Sequence, residues 1–343
     1  MSASAQPSSE SADRSAGGTL EKADAENFPV APFFLPAAWR GDLMAVYGFA
    51  RLVDDSGDGD LADPAGTARL LGVETAPPAT PTPPATRSAT PSARSATPSA
   101  QPGPPGPAEV AFRLALLDGL EQDLDRVFES ALRPAAAEAP RHPLMRALVP
   151  LVDRHGLTPE PFRRLIEANR VDQTTTRYAR YEDLIGYCTL SADPVGRLVL
   201  AIAGVSTPER IELSDAVCSA LQVVEHLQDV AEDLACGRIY LPAEDLARFG
   251  VTEQDLAAPA AGPAVRELIA FEVGRARTLL DRGAPLVGTV RGRLRLLLAG
   301  FTAGGYAALA AIEAAGYDVL AQQTKPDKRR LAAKAAAIFA KGR

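Results

Sequence analysis

Along most of this 343-residue chain apolar side chains recur at intervals of three and four, and no run alternates polar with apolar for long enough to make a sheet. That property confines the chain to helices, because a helix presents one stripe every 3.6 residues whereas a half-buried strand alternates every two. Leu43, Val46, Tyr47, Ala50 and Val53 form one stripe, and Phe112, Leu116, Leu120, Leu124 and Phe128 form another. Thr158-Pro159-Glu160 and Thr207-Pro208-Glu209 read as helix starts, each with a capping threonine and a proline in the first turn. The expected fold is all-α, a single-domain bundle of about eight to ten helices.

Between the two stripes, Val73 to Ala108 holds eleven prolines and eight alanines but no aromatic residue. Such a segment buries too little apolar surface to offset the roughly 1 to 2 kcal/mol of backbone entropy lost per ordered residue. It is expected to be a disordered insertion. Its fragments Ser88-Ala89-Thr90-Pro91 and Ser95-Ala96-Thr97-Pro98 are low complexity, not a structural repeat. Met1 to Ala25 lacks the basic-then-apolar order of an export signal and reads as a disordered tail. The expected layout is a tail at 1–25, a bundle at 26–324 interrupted by 73–108, and a basic C-terminal helix at 325–343.

Apolar residues make up 46% of the chain and charged residues 23%, the balance of a globular protein with a core. A net charge of -7 leaves no global positive field to gather phosphates, which argues against a nucleic acid partner. Cys188, Cys218 and Cys236 are odd in number and lack metal-ligand spacing, which fits a reducing cytoplasm. Leu296 to Ile312 is shorter than the roughly 20 residues that cross a bilayer and reads as a buried helix. Lys325 to Arg343 carries seven basic residues, with Leu331, Ala335, Ile338 and Phe339 available for one face. Two readings stay open for it, peripheral contact with an anionic membrane and a solvated terminal helix.

Chemistry concentrates in two acidic segments. On a helix, Tyr47, Arg51, Asp54 and Asp58 are spaced four, three and four apart and share one face. Gln222, Glu225, Asp229 and Asp233 lie at i, i+3, i+7 and i+11, opposite an apolar side of Leu221, Val224, Leu227, Ala231 and Leu234. Either alone reads as a solvated helix surface. Together they point to a shared site: two unit charges 4 Å apart repel by about 4 kcal/mol at an effective dielectric near 20, so convergent carboxylates need cations. Magnesium takes oxygen ligands and commonly bridges carboxylates to phosphates.

These segments resemble the squalene/phytoene synthase family. So do Asn27-Phe-Pro-Val-Ala31, Ala45-Val-Tyr-Gly-Phe-Ala-Arg51, Tyr187-Cys188 with Asp193-Pro-Val-Gly196, and Gly237-Arg-Ile-Tyr-Leu-Pro242, in family order. The opening block and Leu241 to Val251 are most similar to the bacterial hydroxysqualene synthase branch. The resemblance implies an isoprenoid synthase bundle with a central apolar cavity. It also implies magnesium, two or three ions, held by Asp54, Asp58, Asp229 and Asp233, with Asp55 and Glu232 as second choices. Asn27, Tyr47, Arg51, Gln222, Tyr187 and Tyr240 are the implied substrate-binding residues, and Glu225 is a candidate to position or deprotonate a water.

The implied reaction turns presqualene diphosphate and water into hydroxysqualene and diphosphate without a nicotinamide cofactor, coupled to other enzymes of squalene and hopanoid formation. Head-to-head condensation of two prenyl diphosphates is the alternative within the family, and a catalytically silent assembly or binding protein the alternative from another class. Two departures matter. Glu225 and Gln228 occupy places that are Asn and Arg in the family's Asn-x-x-Arg-Asp motif, which favours a substrate with one diphosphate. Gly57 weakens the first acidic helix, by up to about 1 kcal/mol relative to Ala.

Overall fold

The first stripe lies on helix α1 (Ala37–Asp58), which buries Leu43, Val46 and Val53 together with Phe49 and Leu52. The computed structural model describes residues 19–20, 22–24, 30–74, 105–321 and 328–341. The N-terminal tail before residue 19, Asn27, and residues 75–104 of the proline-rich segment lie outside them. Fifteen α-helices and no strand occur among the described residues, with one isolated bridge between Arg177 and Ile239. Ten of the helices run ten residues or longer, in line with the expected count.

After α1 come α2 (Pro64–Leu71), α3 (Pro107–Leu132), α4 (Pro143–His155) and α5 (Pro159–Asp172). Then follow α6 (Tyr181–Ser191), α7 (Asp193–Ile202), α8 (Pro208–Gln228) and α9 (Val230–Ala235). The chain closes with α10 (Ala243–Phe249), α11 (Glu253–Leu256), α12 (Pro263–Gly283), α13 (Leu286–Thr289), α14 (Gly292–Ala314) and α15 (Lys328–Lys341). Helices α5 and α8 begin at the two predicted prolines. Thr207 caps α8 by accepting from the Arg210 amide at 3.3 Å, whereas the Thr158 side chain makes no capping bond.

Two apolar clusters form the interior. The first joins α1, α3, α4 and α5 and includes the second predicted stripe, with Phe112, Leu116, Leu120 and Leu124 buried. Phe49 and Phe162 meet edge to face at 5.1 Å in its centre, and each buried ring contributes roughly 1.5 to 3 kcal/mol. The second joins α6, α8 and α12 with Ile239, Tyr240 and Leu241. Helix α14 serves both: Leu294, Leu297 and Leu298 enter the first, Ala308, Leu309 and Ile312 the second.

Two segments, Gly292–Ala314 and Tyr181–Ile202, are long and apolar enough to cross a membrane by length and composition. The first is this shared core helix, as its glycines imply. A Cβ on Gly305 would stand 2.9 Å from Leu221 and 3.0 Å from Leu280, so α14 approaches α8 and α12 closely there. The second is divided at Ala192 into α6 and α7. In α15, Ile338 and Phe339 pack against the first core. Arg295 donates to the Phe339 carbonyl and lies over its ring at 4.8 Å. Two of the apolar residues expected to be free for a membrane surface are thus turned inward.

Candidate active site

Helix α1 delivers the first acidic motif. Its last turn is pressed against α5, where Asn169 donates to Asp54 Oδ1 at 3.0 Å and Gln173 donates to the Gly57 carbonyl at 2.9 Å. A Cβ on Gly57 would stand 2.2 Å from Asn169 Oδ1, so this glycine permits a close approach besides weakening the helix. The helix ends one residue later, capped by Gly59 at φ +82°.

Within the motif the carboxylates divide. Asp55 is buried between two cations, 2.8 Å from Lys22 Nζ and 2.9 Å from Arg51 Nε, which makes it an internal counter-ion. Arg51, expected on the substrate side, is engaged by this pair. Asp54 and Asp58 face the other way, toward α5 and the second motif. Burial, helped by repulsion from Asp58, pushes the Asp54 carboxyl up to about 7 against the pull of Asn169. Tyr47 lies two turns earlier on α1 and is half-buried.

The second motif is not one uninterrupted helix. Helix α8 stops at Gln228, and Asp229, at φ -105° and ψ 14°, separates it from α9. This corrects the single continuous stripe expected for Gln222, Glu225, Asp229 and Asp233. The Asp233 amide still bonds the Asp229 carbonyl at 2.8 Å, so these two aspartates stay one turn apart. Burial and repulsion from Asp229 raise Asp233 to about 7. Its Oδ2 is buried without a hydrogen-bond partner. Glu225 and Glu232 lie on the exposed side, while Gln222 turns to His226 at 3.3 Å.

The motifs meet through residues outside both. Ile239 N bonds the Thr176 carbonyl at 2.9 Å, and Arg177 Nη1 bonds the Gly237 carbonyl at 2.7 Å, pinning residues 237–239 beside the end of α5. Arg238 thereby points to Asp58 Oδ1 at 3.2 Å, and its charge also acts on Asp172 and Asp233. Tyr240 stacks on His226 at 3.7 Å, which burial, then Arg238, holds neutral with its pKa lowered to about 3. The hydroxyls of Tyr187 and Tyr240 are both directed to Asp172.

Sequence reasoning missed Asn169, Asp172 and Arg238 as parts of this site. Asn169, Asp172 and Gln173 share a face at i, i+3 and i+4, a detectable signal, but polar ends of helices are common. Arg238 lies within the 237–242 block, where no spacing marks it as part of a site.

Among the described residues no three His, Cys, Asp or Glu side chains are close enough to hold an ion by themselves. Magnesium asks for less: one or two carboxylates plus water and phosphate oxygens. The pairs Asp54/Asp58 and Asp229/Asp233 supply hard oxygen donors, and Asp233 Oδ2, buried with no hydrogen bond and 3.9 Å from the neutral His226 ring, is an acceptor that a cation would satisfy. These residues fit a divalent ion shared with a phosphate-bearing ligand.

In this all-helical bundle the carboxylates of the two motifs and the Arg238 guanidinium lie together, an arrangement suited to a phosphate-bearing ligand held through a divalent ion. The family model for squalene/phytoene synthase matches residues 22–330, and the chain belongs to that family of prenyl diphosphate enzymes, which uses divalent metal ions. It is 28% identical over 267 residues to a hydroxysqualene synthase of Rhodopseudomonas palustris, covering 78% of this chain and 72% of that protein. It is 33% identical over 189 residues to a 15-cis-phytoene synthase of Synechococcus elongatus, covering 52% of this chain and spanning 59% of that protein's length. A crystal structure of squalene synthase from Alicyclobacillus acidocaldarius superposes with a TM-score of 0.65 at 37% identity, covering 90% of this chain and 96% of that one.

Proposed function

We propose that this protein converts presqualene diphosphate and water into hydroxysqualene and diphosphate, in the cytoplasm and as a step of hopanoid formation. The observation carrying the reading is the convergence of the two aspartate motifs on Arg238, in a chain whose second motif has Glu225 and Gln228 in place of Asn and Arg. With no arginine at position 228, Arg238 is the guanidinium left between the two motifs, and a single cation there suits one diphosphate. The similarity to a hydroxysqualene synthase supports the same branch.

Asp54, Asp58, Asp229 and Asp233 would hold magnesium, which neutralises the diphosphate and so makes it a better leaving group. Arg238 binds a diphosphate oxygen and stabilises the charge that grows as the carbon–oxygen bond breaks with its electron pair on the leaving group. Asn169 keeps Asp54 oriented, and the Lys22–Asp55–Arg51 ion pairs hold the end of α1 in place. Water then bonds to the rearranged carbocation and loses one proton. Glu225, exposed at the edge of the site, accepts it. No reductant enters this balance, so turnover needs no nicotinamide.

Purified protein with magnesium and presqualene diphosphate should release hydroxysqualene, and Asp54→Asn and Asp229→Asn should abolish it. Full turnover by both variants would defeat the reading. Head-to-head condensation is the second reading, carried by the phytoene synthase relative. Farnesyl or geranylgeranyl diphosphate, with and without NADPH, would then give a coupled product instead.

A further inference from the structure

Asp172 belongs to neither aspartate motif, yet the polar groups of the wall between them turn toward it. It is the last residue of α5. Tyr187 donates its hydroxyl to Oδ2 at 2.6 Å, and Tyr240 donates to Oδ1 at 3.1 Å. With one hydroxyl on each oxygen, the carboxylate cannot rotate without breaking a bond. Both tyrosine rings are more than nine-tenths buried, and Tyr240 is held from its faces by His226 at 3.7 Å and Tyr178 at 5.7 Å. The direction of the negative charge is therefore set by three elements at once: α5, α6 and the 237–242 segment.

That charge is more than two hydroxyls require. A neutral amide oxygen would accept from a phenol without the cost of partly burying a carboxylate. The charge has a different counterpart. Arg238 is bonded to Asp58 and stands two residues before Tyr240, whose hydroxyl Asp172 anchors; its charge favours ionisation of Asp172, which the like charge of Asp58 opposes.

We propose that Asp172 is a positioning residue: it holds Tyr187, Tyr240 and Arg238 along the wall between the aspartate motifs, so that the guanidinium meets the departing diphosphate. This rests on the prenyl diphosphate reading given above. Asp172 touches no reacting atom and acts through Arg238. A departing diphosphate gains charge in the transition state, so a misplaced guanidinium costs turnover more than substrate affinity.

The test uses the full chain and the isosteric Asp172→Asn, which keeps one acceptor and removes the charge. We expect kcat to fall by about 100-fold with KM changed less than about threefold, while Tm holds or rises because a desolvated charge is gone. Calorimetric binding of inorganic pyrophosphate with magnesium should weaken by about tenfold in the variant. Tyr240→Phe removes one anchor and should give an intermediate loss, and it carries the comparison if the amide variant does not fold. Unchanged pyrophosphate affinity with activity lost in step with Tm would reduce Asp172 to a structural residue and overturn the proposal. A wild type that binds pyrophosphate but consumes no prenyl diphosphate would instead overturn the functional reading, with the pyrophosphate comparison still deciding the role of Asp172.

Discussion

Arg238 Nη1 reaches Asp58 Oδ1 across 3.2 Å, joining two acidic regions that lie 180 residues apart in the chain. The guanidinium side chain is 20% exposed and the carboxylate 50%, so the pair sits at the mouth of the site, where solvent screens it. Its contribution to stability is therefore modest, roughly 1 kcal/mol. Its contribution to the site is larger, because Asp172 and Asp233 feel the same cation.

Arg238→Gln should leave Tm within a few degrees of wild type and reduce turnover by about 100-fold. Arg238→Lys should recover only part of that loss, since an ammonium lacks the planar fork that spans two acceptors. Steady-state kinetics of both variants check this, and wild-type turnover in Arg238→Gln would remove Arg238 from the chemistry.

At Gly57 two effects compete. Replacing a helical glycine by alanine gains about 1 kcal/mol of helix propensity, but the new methyl would meet Asn169 Oδ1 at 2.2 Å. Overpacking of this kind costs about 1 to 3 kcal/mol, so Gly57→Ala should destabilise and should also pull Asn169 from Asp54. Combined with Asn169→Ala the penalty should shrink, which a double-mutant cycle of urea midpoints measures. Additive losses would show that the two residues do not touch.

Away from the site, Glu272 on α12 is 1% exposed and faces Asp245, Glu244, Arg275 and Tyr181. Burial raises its carboxyl from the ordinary 4.5 to about 8, with Arg275 opposing and Asp245 adding. Between these two values the folded chain binds more protons than the unfolded chain, so this group's stabilisation falls as pH rises through that window. Glu272→Gln should raise Tm at pH 8.5 and flatten the decline above pH 5. A mutant curve parallel to wild type across that range would refute the assignment.

The terminal helix offers a fourth check. Phe339 is partly buried and lies under Arg295, so Phe339→Ala should cost roughly 1 to 2 kcal/mol, below the 3 to 5 of a fully buried ring. Thermal denaturation reads the loss. An unchanged Tm would mean that α15 contributes nothing to the fold.

Much of this was legible beforehand, for identifiable reasons. The stripe of Phe112, Leu116, Leu120 and Leu124 is local, and one helix suffices to express it. Asp54 and Asp58 are one turn apart on any helix, so their common face followed from spacing alone. The roles of Arg51 and Asp55 did not. Whether Asp55 faces a ligand or serves as an internal counter-ion depends on Lys22 as well as on Arg51, and only folding brings Lys22 near. The interruption at Asp229 was equally hidden, because the residues around it carry ordinary helix propensities.

By itself the amino-acid order determined an all-helical fold, two acidic helical segments and the family to which they belong. Periodicity and spacing are properties of a single helix, set by 3.6 residues per turn. Only the tertiary structure decided that Arg238 stands between those segments, that Asp172 holds two tyrosine hydroxyls, and that Ile338 and Phe339 turn inward. Such pairings join elements far apart in sequence, and the packing of whole helices selects them where no local preference can.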